Sequence, residues 1–284
     1  MAHVKKPDWL RVRLGGNAKF SETKNIVESH CLHTICASGR CPNMGECWEK
    51  GTATFMISGD ICTRSCRFCN TKTGKPMALN VNEPENVARS IALMKLKHAV
   101  ITSVDRDDLP DLGAEHWVNT INKIKEINPL TTLEVLIPDF QGRPELIDKV
   151  CNALPDVISH NMETVRRLTP DVRSAAKYDT SLSVLKRISE NGCRAKSGVM
   201  LGLGETFNEI IELMHDLLSV NCRILTIGQY LQPSRKHLPV SEYIAPEVFD
   251  NLKEAALNKG FEHVESGPLV RSSYHAEKIM NEKD

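Results

Sequence analysis

The chain has 284 residues, of which 41% are hydrophobic and 25% charged, and its 36 Lys+Arg balance 36 Asp+Glu. A zero formal charge excludes a nucleic-acid protein held by bulk positive charge. The lack of any apolar run near about 18 residues excludes a spanning helix. The N-terminus has basic residues but no apolar core of a secretory signal behind them, so the expected compartment is the cytoplasm.

In chain order, residues 1–50 show turn signals at Gly15-Gly16, Gly39, Pro42-Asn43 and Gly45 and little strand or helix period, which predicts an irregular N-terminal extension. Its cations Lys5, Lys6, Arg11, Arg13, Lys19 and Lys24 outnumber its acids and suit an acidic partner surface. Beyond residue 50 the pattern alternates. Strands are predicted at 52–58, 98–104, 133–137, 157–160, 196–201 and 224–230. Helices are predicted at 84–96, 114–127, 144–154, 181–191, 206–220 and 246–259. Strand–helix units repeated at this spacing build a parallel sheet with helices outside it. There is room for about six units, so the expected fold is α/β, a partial (βα)6 TIM-type barrel. A doubly wound open sheet is the structural alternative. The expected boundaries are 1–50 for the extension, 51–265 for the barrel and 266–284 for a C-terminal tail.

Seven of the ten cysteines lie between Cys31 and Cys69, where a uniform spread would place about 1.4. In a reducing compartment such clustering reads as metal or redox ligation. Cys62, Cys66 and Cys69 form C-x3-C-x2-C in the loop after the first barrel strand. Three soft sulfur donors on one tight loop suit zinc or an iron–sulfur cluster, and a structural zinc site wants a fourth ligand. Cys36, Cys41 and Cys47 form C-x4-C-x5-C in the extension, with Pro and Gly supplying turns. Polar residues gather at the C-terminal strand ends, where parallel βα arrays place their chemistry. Ser103, Asp105, Asn161 and Glu205 are therefore candidates for holding a cofactor, the alternative being that they cap the following helices. Cys31, Cys151, Cys193 and Cys222 read as ordinary or core thiols.

The C-x3-C-x2-C triplet resembles the signature of the radical S-adenosylmethionine (SAM) superfamily, whose partial (βα)6 barrel matches the layout above. The two triplets in this order are similar to those of the lipoyl synthase family. So are Lys6-Pro7-Asp8-Trp9-Leu10, the run Arg40–Trp48, the strand ends at Thr102–Leu109, His160–Val165 and Gly228–Pro233, and Arg271-Ser272-Ser273-Tyr274-His275-Ala276 in the tail.

The resemblance implies two [4Fe–4S] clusters and SAM. One cluster would sit on Cys62, Cys66 and Cys69, its open iron chelating SAM. An auxiliary cluster would sit on Cys36, Cys41, Cys47 and Ser273, with Ser272 as the alternative serine. A hard alkoxide suits iron less well than thiolate does, which would make that fourth ligand labile. The implied reaction inserts two sulfur atoms, at C6 and C8 of an N6-octanoyl-lysine. The implied partners are octanoylated lipoyl carrier domains, namely 2-oxoacid dehydrogenase E2 subunits and glycine cleavage H protein. An electron donor such as ferredoxin or flavodoxin is also implied, with no nucleic acid and no membrane. The competing readings are a tRNA methylthiotransferase, which would want a basic face, and a zinc-stabilised binding module.

Overall fold

The structure, a computed structural model, describes residues 6–12, 15–30, 32–173 and 175–281. Lys5, Arg13 and Cys31 lie outside the described residues. The extension contains α1 (Ala18–Ser29), β1 (His33–Thr34), α2 (Ile35–Ser38) and α3 (Met44–Glu49). The barrel strands are β2 (Thr54–Ile57), β5 (His98–Ser103), β6 (Thr132–Leu136), β7 (Val157–Ser159), β8 (Ala195–Leu201), β9 (Ile224–Gln229) and β10 (His263–Gly267). A separate parallel pair, β3 (Ile61–Cys62) and β4 (Lys72–Thr73), closes the loop after β2. The helices between strands are α4 (Glu83–Met94), α5 (Ala114–Ile127), α6 (Pro144–Asn152), α7 (Thr169–Val172), α8 (Tyr178–Glu190), α9 (Phe207–Ser219) and α10 (Pro246–Lys259), followed by α11 (Lys278–Asn281).

The main sheet runs β1-β2-β5-β6-β7-β8-β9-β10. All its pairings are parallel except β1 with β2, where His33 faces Met56. Since β1 and β10 stand at opposite edges, the barrel is open. No helix among the described residues is long and apolar enough to cross a membrane.

The period of two along each strand explains the interior. Phe55, Ile57, Ala99, Ile101, Leu133, Val135, Leu225 and Ile227 join the core beneath the helices. The alternating set, Thr54, Val100, Thr102, Glu134, Gly198, Thr226 and Gly228, faces a cavity of about 350 Å³. Small and polar side chains cannot fill a lumen, so it remains a space. At Gly198 an added Cβ would stand 2.7 Å from Thr226 Oγ1 and 2.9 Å from Asn161 Oδ1, so even a methyl group would collide there.

Two expectations are corrected. The extension is not irregular. Asn17 caps α1 through the Phe20 N–H at 2.8 Å, and Thr34 caps α2 through the Ala37 N–H. Only Thr23 and Val27 of α1 are buried, too sparse a stripe to show as a period. Strand β10 was also unforeseen, and it crosses the boundary drawn at 265/266. It has two buried residues and then three half-buried ones, so it lacks the apolar run that marked the other strands.

Candidate active site

Cys62, Cys66 and Cys69 follow the C-terminal end of β2. The β3–β4 pair sets Cys62 against Thr73, and the Gly74 N–H donates to Cys62 O at 3.0 Å. The Cys62 sulfur accepts the N–H groups of Arg64 at 3.4 Å and Asp105 at 3.3 Å. The Cys69 N–H closes a turn on Cys66 O at 3.0 Å.

Arg64, inside this triplet, was not singled out from the sequence. Its side chain is 7% exposed and meets Asp105 at 3.4 Å, Asp107 at 2.7 Å and Asp139 at 2.8 Å. One guanidinium fork thereby ties the cysteine loop to the ends of β5 and β6. The hydrogen bond from Arg64 pulls the Asp107 carboxyl down to about 2. Asp139 is aimed by a strained turn, Phe140 and Gln141 having φ of 43° and 53°.

In the extension, the Cys41 N–H donates to Cys36 O at 2.9 Å, and the Cys47 N–H donates to Asn43 O at 2.9 Å in the first turn of α3. The tail is laid beside this loop, since Asn43 Nδ2 donates to Leu269 O at 2.7 Å. Ser273 Oγ accepts from Thr54 Oγ1 at 2.8 Å, and the Cys36 thiol lies against the backbone of the same Thr54. Ser272 Oγ instead accepts from Asn161 Nδ2 at 2.7 Å. The tail is pinned by Lys196, which donates to Ser272 O at 2.7 Å and to both oxygens of the buried Glu134 at 2.8 Å. Ser159 Oγ donates to Glu134 Oε1 at 2.7 Å, so this buried pair is well satisfied.

The cavity wall brings together Cys36, Cys41, Cys62, Cys66, Cys69, Ser103, Asp105, Asn161, Ser272 and Ser273. Cys47 stands behind that wall, near enough to Cys36 and Cys41 for their charges to act on it. Glu205 is not on the wall. Its carboxylate accepts from the Gly202 and Leu203 N–H groups at 2.5 and 2.9 Å, satisfying its own loop. Glu163 and Arg173, both on the wall, were not picked out as site residues. The Glu163 carboxyl is pushed up by burial.

Burial pushes the Cys62 thiol up to about 11, and Cys66 and Cys47 up to about 12. Cys36, Cys41 and Cys69 move the same way for the same reason. Thiols this desolvated hold their protons, and a bound metal cation would supply the charge that favours the thiolate. Among the described residues no three His, Cys, Asp or Glu side chains gather as ligands of a single ion. Two sets of three soft donors, five of the six on one cavity and Cys47 beside Cys36 and Cys41, fit iron–sulfur clusters, whose irons are spread over a cube. The buried Asn161 Oδ1 has no hydrogen-bond partner, leaving an acceptor for a bound molecule.

The Radical SAM superfamily pattern matches residues 56–217, more than half of the chain, which therefore belongs to that superfamily. The fold is shared with Streptococcus suis SuiB bound to precursor peptide SuiA, at a TM-score of 0.61 and 10% identity over 87% of this chain and 52% of that one. Methylornithine synthase (PylB) gives 0.53 and 12% over 91% and 85%. The chain thus spans about half of SuiB, and at these identities the likeness concerns fold alone. Full-length relatives are more specific. The lipoyl synthase of Parabacteroides distasonis is 71% identical over 276 residues, covering 97% of this chain and 98% of that protein. That of Phocaeicola vulgatus is 67% identical over the whole of both chains, and that of Treponema denticola 59% over 96% and 94%. The chain belongs to the lipoyl synthase family.

Proposed function

We propose that the protein inserts two sulfur atoms, at C6 and C8 of a protein-bound N6-octanoyl-lysine, giving the dihydrolipoyl group. The observation that carries this reading is the shared cavity, since Cys36, Cys41 and Ser273 face the same space as Cys62, Cys66 and Cys69. Cys62, Cys66 and Cys69 hold a [4Fe–4S] cluster, and Cys36, Cys41, Cys47 and Ser273 hold a second. Reductive cleavage of SAM, giving a radical that takes hydrogen from an unactivated C–H bond, is the chemistry the first cluster and SAM supply when bound. The second cluster is a substrate, consumed as its sulfur is transferred.

The chain's own residues position and shield the reactants. Ser103, Asp105 and Asn161 orient SAM from the strand ends, with Glu205 holding the loop after β8 in shape. Val100, Val104, Leu136, Met200 and Leu231 offer an apolar wall for the acyl chain. His237 ties the loop after β9 to the cysteine loop, its Nε2 lying 3.0 Å from Cys69 O. Carrier domains of 2-oxoacid dehydrogenase E2 subunits and glycine cleavage H protein are the proposed partners, ferredoxin or flavodoxin the electron donor, and the cytoplasm the compartment.

The test is anaerobic reconstitution followed by iron assay and turnover of an octanoyl-lysine peptide. About eight iron per chain is expected. Cys66→Ala should reduce 5′-deoxyadenosine to background. Cys41→Ala should keep about four iron and some SAM cleavage but yield no thiolated product. Near-normal 5′-deoxyadenosine from Cys66→Ala, or thiolated product from Cys41→Ala, would overturn the assignment of roles.

A further inference from the structure

The tail carries a cation, Arg271, that no carboxylate pairs with among the described residues. Arg271, next to Ser272, is half-buried on the cavity wall. Its Nη1 donates to the carbonyl of its neighbour Val270 at 2.6 Å, and among the described residues no carboxylate pairs with it. Gly228 makes the room. A Cβ there would stand 2.2 Å from Val270 O and 3.4 Å from Arg271 Nη1. Lys6, exposed to solvent, is near enough to Arg271 for the two positive charges to repel. The ionisable group that faces Arg271 with the opposite sign is Cys41, whose thiol sits on the same wall.

A guanidinium sheltered from bulk water without a counter-charge is costly. A guanidinium that no carboxylate pairs with among the described residues, on the same wall as Cys36 and Cys41, marks a place where an anion belongs. We propose that Arg271 balances the negative charge of the cluster held by Cys36, Cys41, Cys47 and Ser273. Its charge raises the potential at which that cluster accepts an electron and slows loss of its iron. This inference rests on the two-cluster reading above.

The test uses a full-length parent with Cys62, Cys66 and Cys69 changed to Ala, so that only the second set of ligands remains. It reads iron content, a dye-mediated reductive titration followed by electron paramagnetic resonance, and iron loss to a ferrous chelator. The parent should hold about four iron per chain. Adding Arg271→Met should shift the midpoint to more negative potential and speed chelation about tenfold. Arg271→Lys should restore most of both, whether or not the Met variant retains its iron. An unchanged midpoint and chelation rate in Arg271→Met would overturn the proposal. So would a Lys variant no better than Met, because shape rather than charge would then matter. A parent that binds no iron would instead bring down the two-cluster reading, and this inference with it.

Discussion

At the scale of single residues, the two tail serines have different neighbours. Ser273 shares a hydrogen bond with Thr54 beside Cys36, whereas Ser272 is held by Asn161. Ser273→Ala should therefore abolish thiolated product and lower iron content, while Ser272→Ala should leave iron content unchanged. The reverse pattern would exchange their roles. Ser273→Cys supplies a softer, firmer ligand. Normal iron, substantial SAM cleavage and reduced sulfur transfer are expected, with the second insertion most affected. Wild-type yield of dihydrolipoyl product would show that ligand lability is not why serine stands there.

His160 gives a pH prediction at the same scale. Burial lowers its imidazole to about 4, and its ring nitrogens meet Ile137 O and Ser181 Oγ, both at 3.0 Å. Between the free-imidazole value of about 6.5 and about 4, the unfolded chain takes up a proton that the folded chain refuses. Stability is thus fully present above that window and falls with decreasing pH, by at most about 1.4 kcal/mol per pH unit from this group. Urea unfolding at a series of pH values should show the slope, and His160→Gln should flatten it. A slope unaltered by the substitution would remove His160 as its source.

At the scale of elements, the serine-bearing tail depends on a strand. Lys196 of β8 and Glu134 of β6 are 1% and 0% exposed, and the ammonium also carries Ser272 O. Lys196→Met strands a buried carboxylate and should cost about 3–5 kcal/mol. Pairing it with Glu134→Gln should recover much of that loss in denaturant unfolding, since no bare charge then remains. The tail would still lack its anchor, so limited proteolysis beyond residue 269 should be faster in both variants. Equal stability losses in the single and double variants would mean that the stranded Glu134 charge is not the source of the loss.

The whole molecule is one packed body in which the extension shares the barrel's core. Val27, Leu32, Cys36 and Trp48 belong to the same hydrophobic cluster as Phe55, Ile91 and Ile101. Removing residues 1–50 should expose that surface and yield an aggregating remainder. Thermal unfolding of the apoprotein should be a single transition. A soluble, cooperatively folding chain starting at residue 51 would contradict this. The extension's cations offer less to a partner than their number suggested. Arg11 pairs with Asp8 at 2.7 Å, Lys19 with Glu22 at 3.0 Å and Lys24 with Glu28 at 3.7 Å.

What the sequence determined by itself is whatever local spacing controls. The two cysteine triplets were legible because short, regular spacings along the chain gather their thiols on single loops. The helices at 114–127 and 246–259 have the predicted bounds, because an apolar period and terminal signals such as Pro246 and Gly260 act within a few residues. What only the tertiary structure decided depends on partners far apart in the chain. The Arg64 clamp, the different partners of Ser272 and Ser273, and an Arg271 that no carboxylate pairs with among the described residues each need residues that no spacing rule connects. Glu205 reads from its strand-end position as facing the cavity, yet two nearby N–H groups claim its carboxylate. Helix α1 has a cap but almost no buried stripe, so its stability comes from packing on α3 and α4, which a one-dimensional pattern does not carry.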